Sequence, residues 1–151
     1  MHMLMMAFAA RISAKPKVDR VANRYVSDVL FHAPLVMFAL QRCETSKSLR
    51  AFFKQFGIEC RVVDLDSADY RENAFSSRIR ARLVELTGGD TLPQLFLGGE
   101  HVGSATEIFD SWRAGVLQRR LLDNGVNYDR RPRFGADTLL PSKLMQPRKR
   151  A

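Results

Sequence analysis

The sequence predicts a single α/β domain with a helical extension before it and a basic tail after it. Three observations lead there. Leu35-Val36-Met37-Phe38-Ala39-Leu40 is a continuous apolar run of the kind that forms a strand buried on both faces of a sheet. Short apolar runs then alternate along the chain with segments whose apolar residues recur at helical spacing. Finally, the excess charge lies wholly outside the middle of the chain. Residues 1–33 carry five basic and two acidic residues and residues 127–151 carry seven and two, whereas residues 34–126 hold twelve of each. The overall charge of +8 therefore belongs to attachments on a neutral body, so the domain itself need not be a phosphate-binding surface.

The elements follow in order. Residues 1–17 contain no acid and several basic residues. That composition fits a transit peptide, and equally a disordered start or an upstream initiation artefact. Val18, Val21, Tyr25, Val29 and Leu30 fall at helical spacing and predict an amphipathic helix over 18–31. After Pro34 comes the buried strand. Leu49, Phe52, Phe53 and Phe56 predict a helix over 46–56 that Gly57 stops. Ile58 to Leu65 alternates as a second strand, and Ile79, Leu83 and Leu86 mark the inner face of a helix over 70–87. Gln94-Leu95-Phe96-Leu97 is a third strand, turned by Gly98-Gly99 into His101-Val102. Ile108, Phe109, Trp112, Leu117 and Leu121 predict one closing helix over 106–123. The order is β-α-β-α-β-β-α, with the domain placed at 34–126. From Asn127 the tail holds three prolines and five arginines and shows no long periodic pattern.

No apolar run is long enough to cross a membrane. Two cysteines, Cys43 and Cys60, are too few for a disulfide framework or a Cys-rich zinc site. His2, His32 and His101 show no ligand spacing, so no metal is expected. Low cysteine usage suits a reducing compartment, and the expected location is cytoplasmic, with organelle targeting by residues 1–17 left open. Cys43 lies between a buried strand and a helix, where first-turn amides and the helix dipole favour thiolate. Arg42 adds to that effect and Glu44 opposes it. Cys60, at the start of the second strand, reads as an ordinary buried or edge-strand cysteine. His101 reads as an exposed hairpin residue and Trp112 as core.

Cys43-Glu44-Thr45-Ser46 resembles the glutaredoxin C-x-x-C motif with serine in the second position. Thr91-Leu92-Pro93 resembles the family's Thr-Val-Pro turn, whose proline is cis and faces the cysteine. Gly98-Gly99-Glu100-His101-Val102 matches the intervening hairpin, and Gly103-Ser104-Ala105-Thr106-Glu107 stands where the family carries Gly-Gly-x-x-Asp. The resemblance covers about residues 35–124. The hairpin, Phe109-Asp110-Ser111-Trp112 and the Asn124–Asp129 exit are most similar to glutaredoxin domains fused behind cysteine-synthase-like enzymes in some bacteria.

This resemblance implies a thioredoxin fold, with a central four-stranded mixed sheet flanked by helices, and a groove for glutathione. Leu92, just before Pro93, would pair its backbone with the glutathione cysteinyl residue in the manner of strand addition. The amides of Ala105, Thr106 and Glu107 would receive the γ-glutamyl carboxylate. Arg80 falls where the family keeps a Gln or Arg for the glycyl carboxylate, and a solvated helix charge is the alternative. Leu40 stands where most members have Lys, Ser104 replaces a glycine, Glu107 replaces Asp, and Ser46 replaces the resolving cysteine.

The implied activity is glutathione-dependent thiol–disulfide exchange by a single thiol, with glutathionylated or disulfide-containing proteins as clients. Cys43→Ser is expected to abolish it and Ser46→Ala to leave it nearly unchanged. Two alternatives stand beside it. One is a scaffold for a [2Fe–2S] cluster ligated by Cys43 and glutathione thiols, and the other is an interaction module without redox chemistry. For the basic tail, a simply solvated run is the commoner case for such charge blocks, and weak, salt-sensitive binding to an anionic partner is the alternative.

Overall fold

A computed structural model describes residues 18–130, so residues 1–17 and most of the basic tail, with the transit-peptide and tail-binding expectations, lie outside the described residues. Nine principal elements follow in chain order. They are α1 (Arg20–His32), β1 (Leu35–Ala39), α2 (Glu44–Gln55), β2 (Arg61–Asp64), α3 (Phe75–Thr87), β3 (Gln94–Leu97), β4 (Glu100–Gly103), α4 (Ala105–Arg113) and α5 (Val116–Asp123). The strands form one sheet in the order β2-β1-β3-β4. β1 pairs parallel with β2 and antiparallel with β3, and β3 pairs antiparallel with β4.

β1 is buried at every position, as the continuous apolar run predicts, because successive side chains enter different cores. Leu35, Met37 and Ala39 join Leu49, Phe52, Ile108, Leu117 and Leu121 on one face. Val36 and Phe38 join Val26, Val29, Ile79, Leu83 and Phe96 on the other. Phe52 anchors the first core through edge contacts with Phe109 and Trp112, at ring centroid separations of 5.1 and 4.9 Å. The second core depends on α1, which is tied to α3 by Asp19. That carboxylate caps α1 through the Ala22 amide and accepts two guanidinium bonds from Arg78, at 2.5 and 2.9 Å. The Arg78 bonds and the cap hold its carboxyl far below the usual range.

The structure departs from the sequence expectations at four places. The closing helix is two helices, broken at Gly115, whose φ of +76° lies in the left-handed region. The amide of Gly115 donates to the Trp112 carbonyl and ends α4. The five-residue gap from Trp112 to Leu117 carries that break. α3 starts at Phe75, after two short 3₁₀ turns over 68–70 and 72–74, because Asn73 and Ala74 both sit at φ +52°. The β2 ladder spans only Arg61–Asp64, since its partner residues on β1 are Val36–Ala39. The helical faces also rotate: Val18, Val21 and Leu86 are exposed, and Ala22 and Val26 point inward on α1 instead.

Candidate active site

Topology gathers the predicted residues at one edge of the sheet. β1 and β2 run parallel and end there, with Cys43 after one and Asp66 after the other. β3 is antiparallel to β1 and begins there, with Gln94 opposite Phe38, so Thr91-Leu92-Pro93 enters from the same side. β4 ends beside the start of β3, with Gly103 opposite Leu95, and delivers the α4 N-terminus to that edge. The Leu92–Pro93 bond is cis.

Cys43 is the N-cap residue of α2, in extended backbone, and its thiol is partly exposed. Partial burial pushes the thiol pKa up. The amide and hydroxyl of Ser46, followed by those of Thr45, outweigh that effect and bring it below the ordinary value. These amides belong to the unpaired first turn of the helix, as the sequence reading required. The Cys43 side chain makes no cap hydrogen bond in the resting thiol, and the Ser46 and Thr45 donors favour its anion. Arg42 contributes differently from the expectation. Its backbone amide, 3.1 Å from Asp66 Oδ2, and the Gln41 amide, 2.7 Å from Oδ1, fasten the loop before Cys43 to Asp66. Burial pushes the Asp66 carboxyl up, but these two bonds prevail and lower it.

Ser46 is completely buried. Its Oγ accepts the Leu40 amide at 3.3 Å, which leaves the hydroxyl hydrogen for Cys43. The motif comparison treats this serine as a missing second thiol. In the fold it braces the strand end and serves the first thiol, so Ser46→Ala should raise the Cys43 pKa, an effect that the sequence expectation did not include.

The other expected residues fall around this edge. Arg80, on α3, donates to the Asp90 carbonyl at 3.2 Å and lines a shallow depression with Thr91 and Leu92. Ala105, Thr106 and Glu107 form the first turn of α4, with Ser104 as N-cap. The Ser104 hydroxyl donates to the Glu107 carboxylate, which places a negative charge at the helix end. Sequence reasoning missed Gln94. Read only as the first residue of a strand, it is buried and bonded to both Thr91 and His101. Its one available signal is a polar residue opening an apolar run.

Cys60 lies at the opposite edge, next to the start of β2, and lines a cavity of about 540 Å³ with Pro34, Gly57, Arg61 and Val126. Burial pushes its thiol up to about 12, which favours the protonated form over the nucleophilic thiolate. This cavity is thus remote from the thiol primed for chemistry. Among the described residues no group of three or more His, Cys, Asp or Glu could hold a metal ion. No helix among them is long and apolar enough to cross a membrane.

A β2-β1-β3-β4 sheet with a thiol at a helix N-cap and a cis-proline turn at the same end defines a thioredoxin-fold thiol protein. The glutaredoxin family profile matches residues 35–102. A curated relative, monothiol glutaredoxin-S10 of Oryza sativa subsp. japonica, is 33% identical over 126 residues, covering 80% of this chain and 74% of the relative. The chloroplastic monothiol glutaredoxin-S12 of Arabidopsis thaliana is 30% identical over 95 residues, covering 62% of this chain and 51% of that protein. Among solved structures, the buckwheat glutaredoxin–glutathione complex aligns with TM-score 0.66 and 25% identity, over 74% of this chain and 99% of that one. The chain belongs to the glutaredoxin family.

Proposed function

We propose that this protein is a glutathione-dependent thiol–disulfide oxidoreductase that works through Cys43 alone. The observation that carries the reading is the partly exposed Cys43 thiol at the α2 N-cap, whose pKa the Ser46 and Thr45 donors lower against the effect of burial. The Cys43 thiolate attacks the glutathione sulfur of a protein–glutathione mixed disulfide. The old S–S bond breaks, the client leaves as a thiolate that takes a proton from water, and Cys43 holds the glutathione as a new disulfide. A second glutathione thiolate then attacks that glutathione sulfur, forming oxidised glutathione and returning the Cys43 thiolate. Cys60 takes no part, being at the far edge of the sheet and protonated. Ser46 leaves no intramolecular disulfide to form, so release depends on the external thiol.

Glutathione would lie across the edge described above. Its cysteinyl backbone pairs with Leu92, its γ-glutamyl carboxylate meets the first turn of α4 at Ala105, Thr106 and Glu107, and Arg80 receives the glycyl carboxylate. The buckwheat relative is known as a glutathione complex, which supports the same ligand here. The Glu107 carboxylate at the helix end weakens the hold on an anionic ligand relative to an uncharged first turn.

A turnover assay on a glutathionylated peptide tests the reading. Wild type is expected to be active with glutathione and Cys43→Ser inactive; full activity in Cys43→Ser would refute it. A [2Fe–2S] scaffold is the second reading. Cys43 would be this chain's single ligand, and since no metal-holding cluster occurs among the described residues, the remaining ligands would come from glutathione and a second copy. A colourless protein after anaerobic reconstitution removes the cluster reading.

A further inference from the structure

Gln94 and Ser46 are the two buried polar side chains among the described residues. Ser46 serves Cys43. Gln94, 4% exposed, joins two other parts of the same edge. The Thr91 carbonyl can only accept, so the Gln94 amide nitrogen faces it, at 2.8 Å, with Thr91 Oγ1 at 3.3 Å from the same nitrogen. Oε1 is thereby turned to His101 Nε2, 2.5 Å away. An amide oxygen only accepts, so this contact requires the hydrogen of the neutral ring to sit on Nε2. The ring also packs against Phe96, its partner across the hairpin, at a centroid separation of 5.3 Å.

We propose that His101 is a positioning residue that, through Gln94, fixes the Thr91-Leu92-Pro93 turn for substrate pairing. The inference rests on the glutathione-dependent activity proposed above and deepens it. His101 lies on β4, three residues before the Ser104 N-cap, so the relay links the turn to the strand that delivers α4. Partial burial lowers the pKa of the largely exposed His101 and Glu107 raises it less, which favours the neutral ring that the contact requires. Removing its N–H leaves a buried amide oxygen without a donor. The Gln94 side chain then reorients, and the Thr91 carbonyl and hydroxyl lose their anchor.

The test compares wild type with His101→Phe, Gln94→Leu, the double variant, and His101→Gln, which restores a donor. His101→Phe is expected to raise KM for a glutathionylated peptide about five- to tenfold, the effect of one hydrogen bond, with kcat and the Cys43 alkylation rate within twofold of wild type. Gln94→Leu should match it, the double variant should be no worse than either, and His101→Gln should recover most of the loss. Two readouts do not need turnover. Nitrogen–proton correlation spectra should show the Nε2–H tautomer in wild type, and amide exchange at Thr91 and Leu92 should quicken in His101→Phe. Additive losses in the double variant, an equal change in Cys43 alkylation, an Nδ1–H tautomer, or unchanged exchange at Leu92 would each overturn the proposal. If wild type itself does not turn over, the proposed activity fails, and the tautomer and the exchange rates still decide the role of His101.

Discussion

Replacing Ser46 with alanine isolates one support of the Cys43 thiolate. The substitution removes the hydroxyl that accepts the Leu40 amide at 3.3 Å and offers its hydrogen to Sγ, while the Thr45 donors and both first-turn amides remain. A hydrogen bond to a charged group contributes about 1.5–3 kcal/mol. The cap bond is not closed and the thiol is partly exposed, so water makes good part of the loss and the lower end applies. About 1.4 kcal/mol corresponds to a tenfold smaller thiolate population at a pH below the thiol pKa. The pKa of Cys43 rises, and its alkylation by iodoacetamide at a pH below the wild-type thiol pKa slows about tenfold. The assay is the rate of mass increase at Cys43 across a pH series, with the plateau at high pH showing that access is unchanged. Loss of the Leu40 acceptor adds about 1 kcal/mol of destabilisation, read by urea melts. A rate within twofold of wild type, with the same pH midpoint, would show that the buried hydroxyl does nothing for the anion.

Three other outcomes follow from the structure. Alkylation at pH 8 should label Cys43 and leave Cys60 unmodified until the chain unfolds, because burial holds the Cys60 thiol near 12; stoichiometric double labelling of folded protein contradicts this. Gly103→Ala should destabilise by about 1–3 kcal/mol in urea melts, since the site lies at φ +138° and a Cβ there would stand 2.6 Å from that of Glu107; an unchanged midpoint would show that α4 shifts freely. Asp66→Ala should cost about 1 kcal/mol at neutral pH by freeing the Gln41 and Arg42 amides. The Asp66 carboxyl is lowered in the fold, so its contribution is full above the ordinary carboxylate range and lost as pH falls through the folded value. The gap between Asp66→Ala and wild type should therefore narrow in acid, and a gap that widens would refute the assignment.

The sequence by itself determined the strand and helix order, the doubly buried β1 and the place of Cys43 at a strand–helix junction. Those features rest on local signals: an unbroken apolar run, helical spacing of apolar residues, and polar flanks around one cysteine. The family membership was legible too, because the C-x-x-S, Thr-Leu-Pro and glycine-led segments stand in order along the chain. The split between α4 and α5 was half legible, since the interval from Trp112 to Leu117 is wrong for one helix, yet only Gly115 at φ +76° fixes where the chain turns. The helical faces of α1 and α3 needed the sheet against which they pack. What tertiary structure alone decided is the company each polar group keeps. Ser46 lies only three residues from Cys43, yet whether its hydroxyl is buried under the strand end depends on Leu40. Asp66 lies 24 residues from the Arg42 amide that it holds, and Gln94 meets His101 across a hairpin. Hydrogen-bond partners are set by strand register and loop geometry, which no local pattern encodes. The sequence locates the reactive thiol, and the folded edge of the sheet supplies the groups that tune it and position what it attacks.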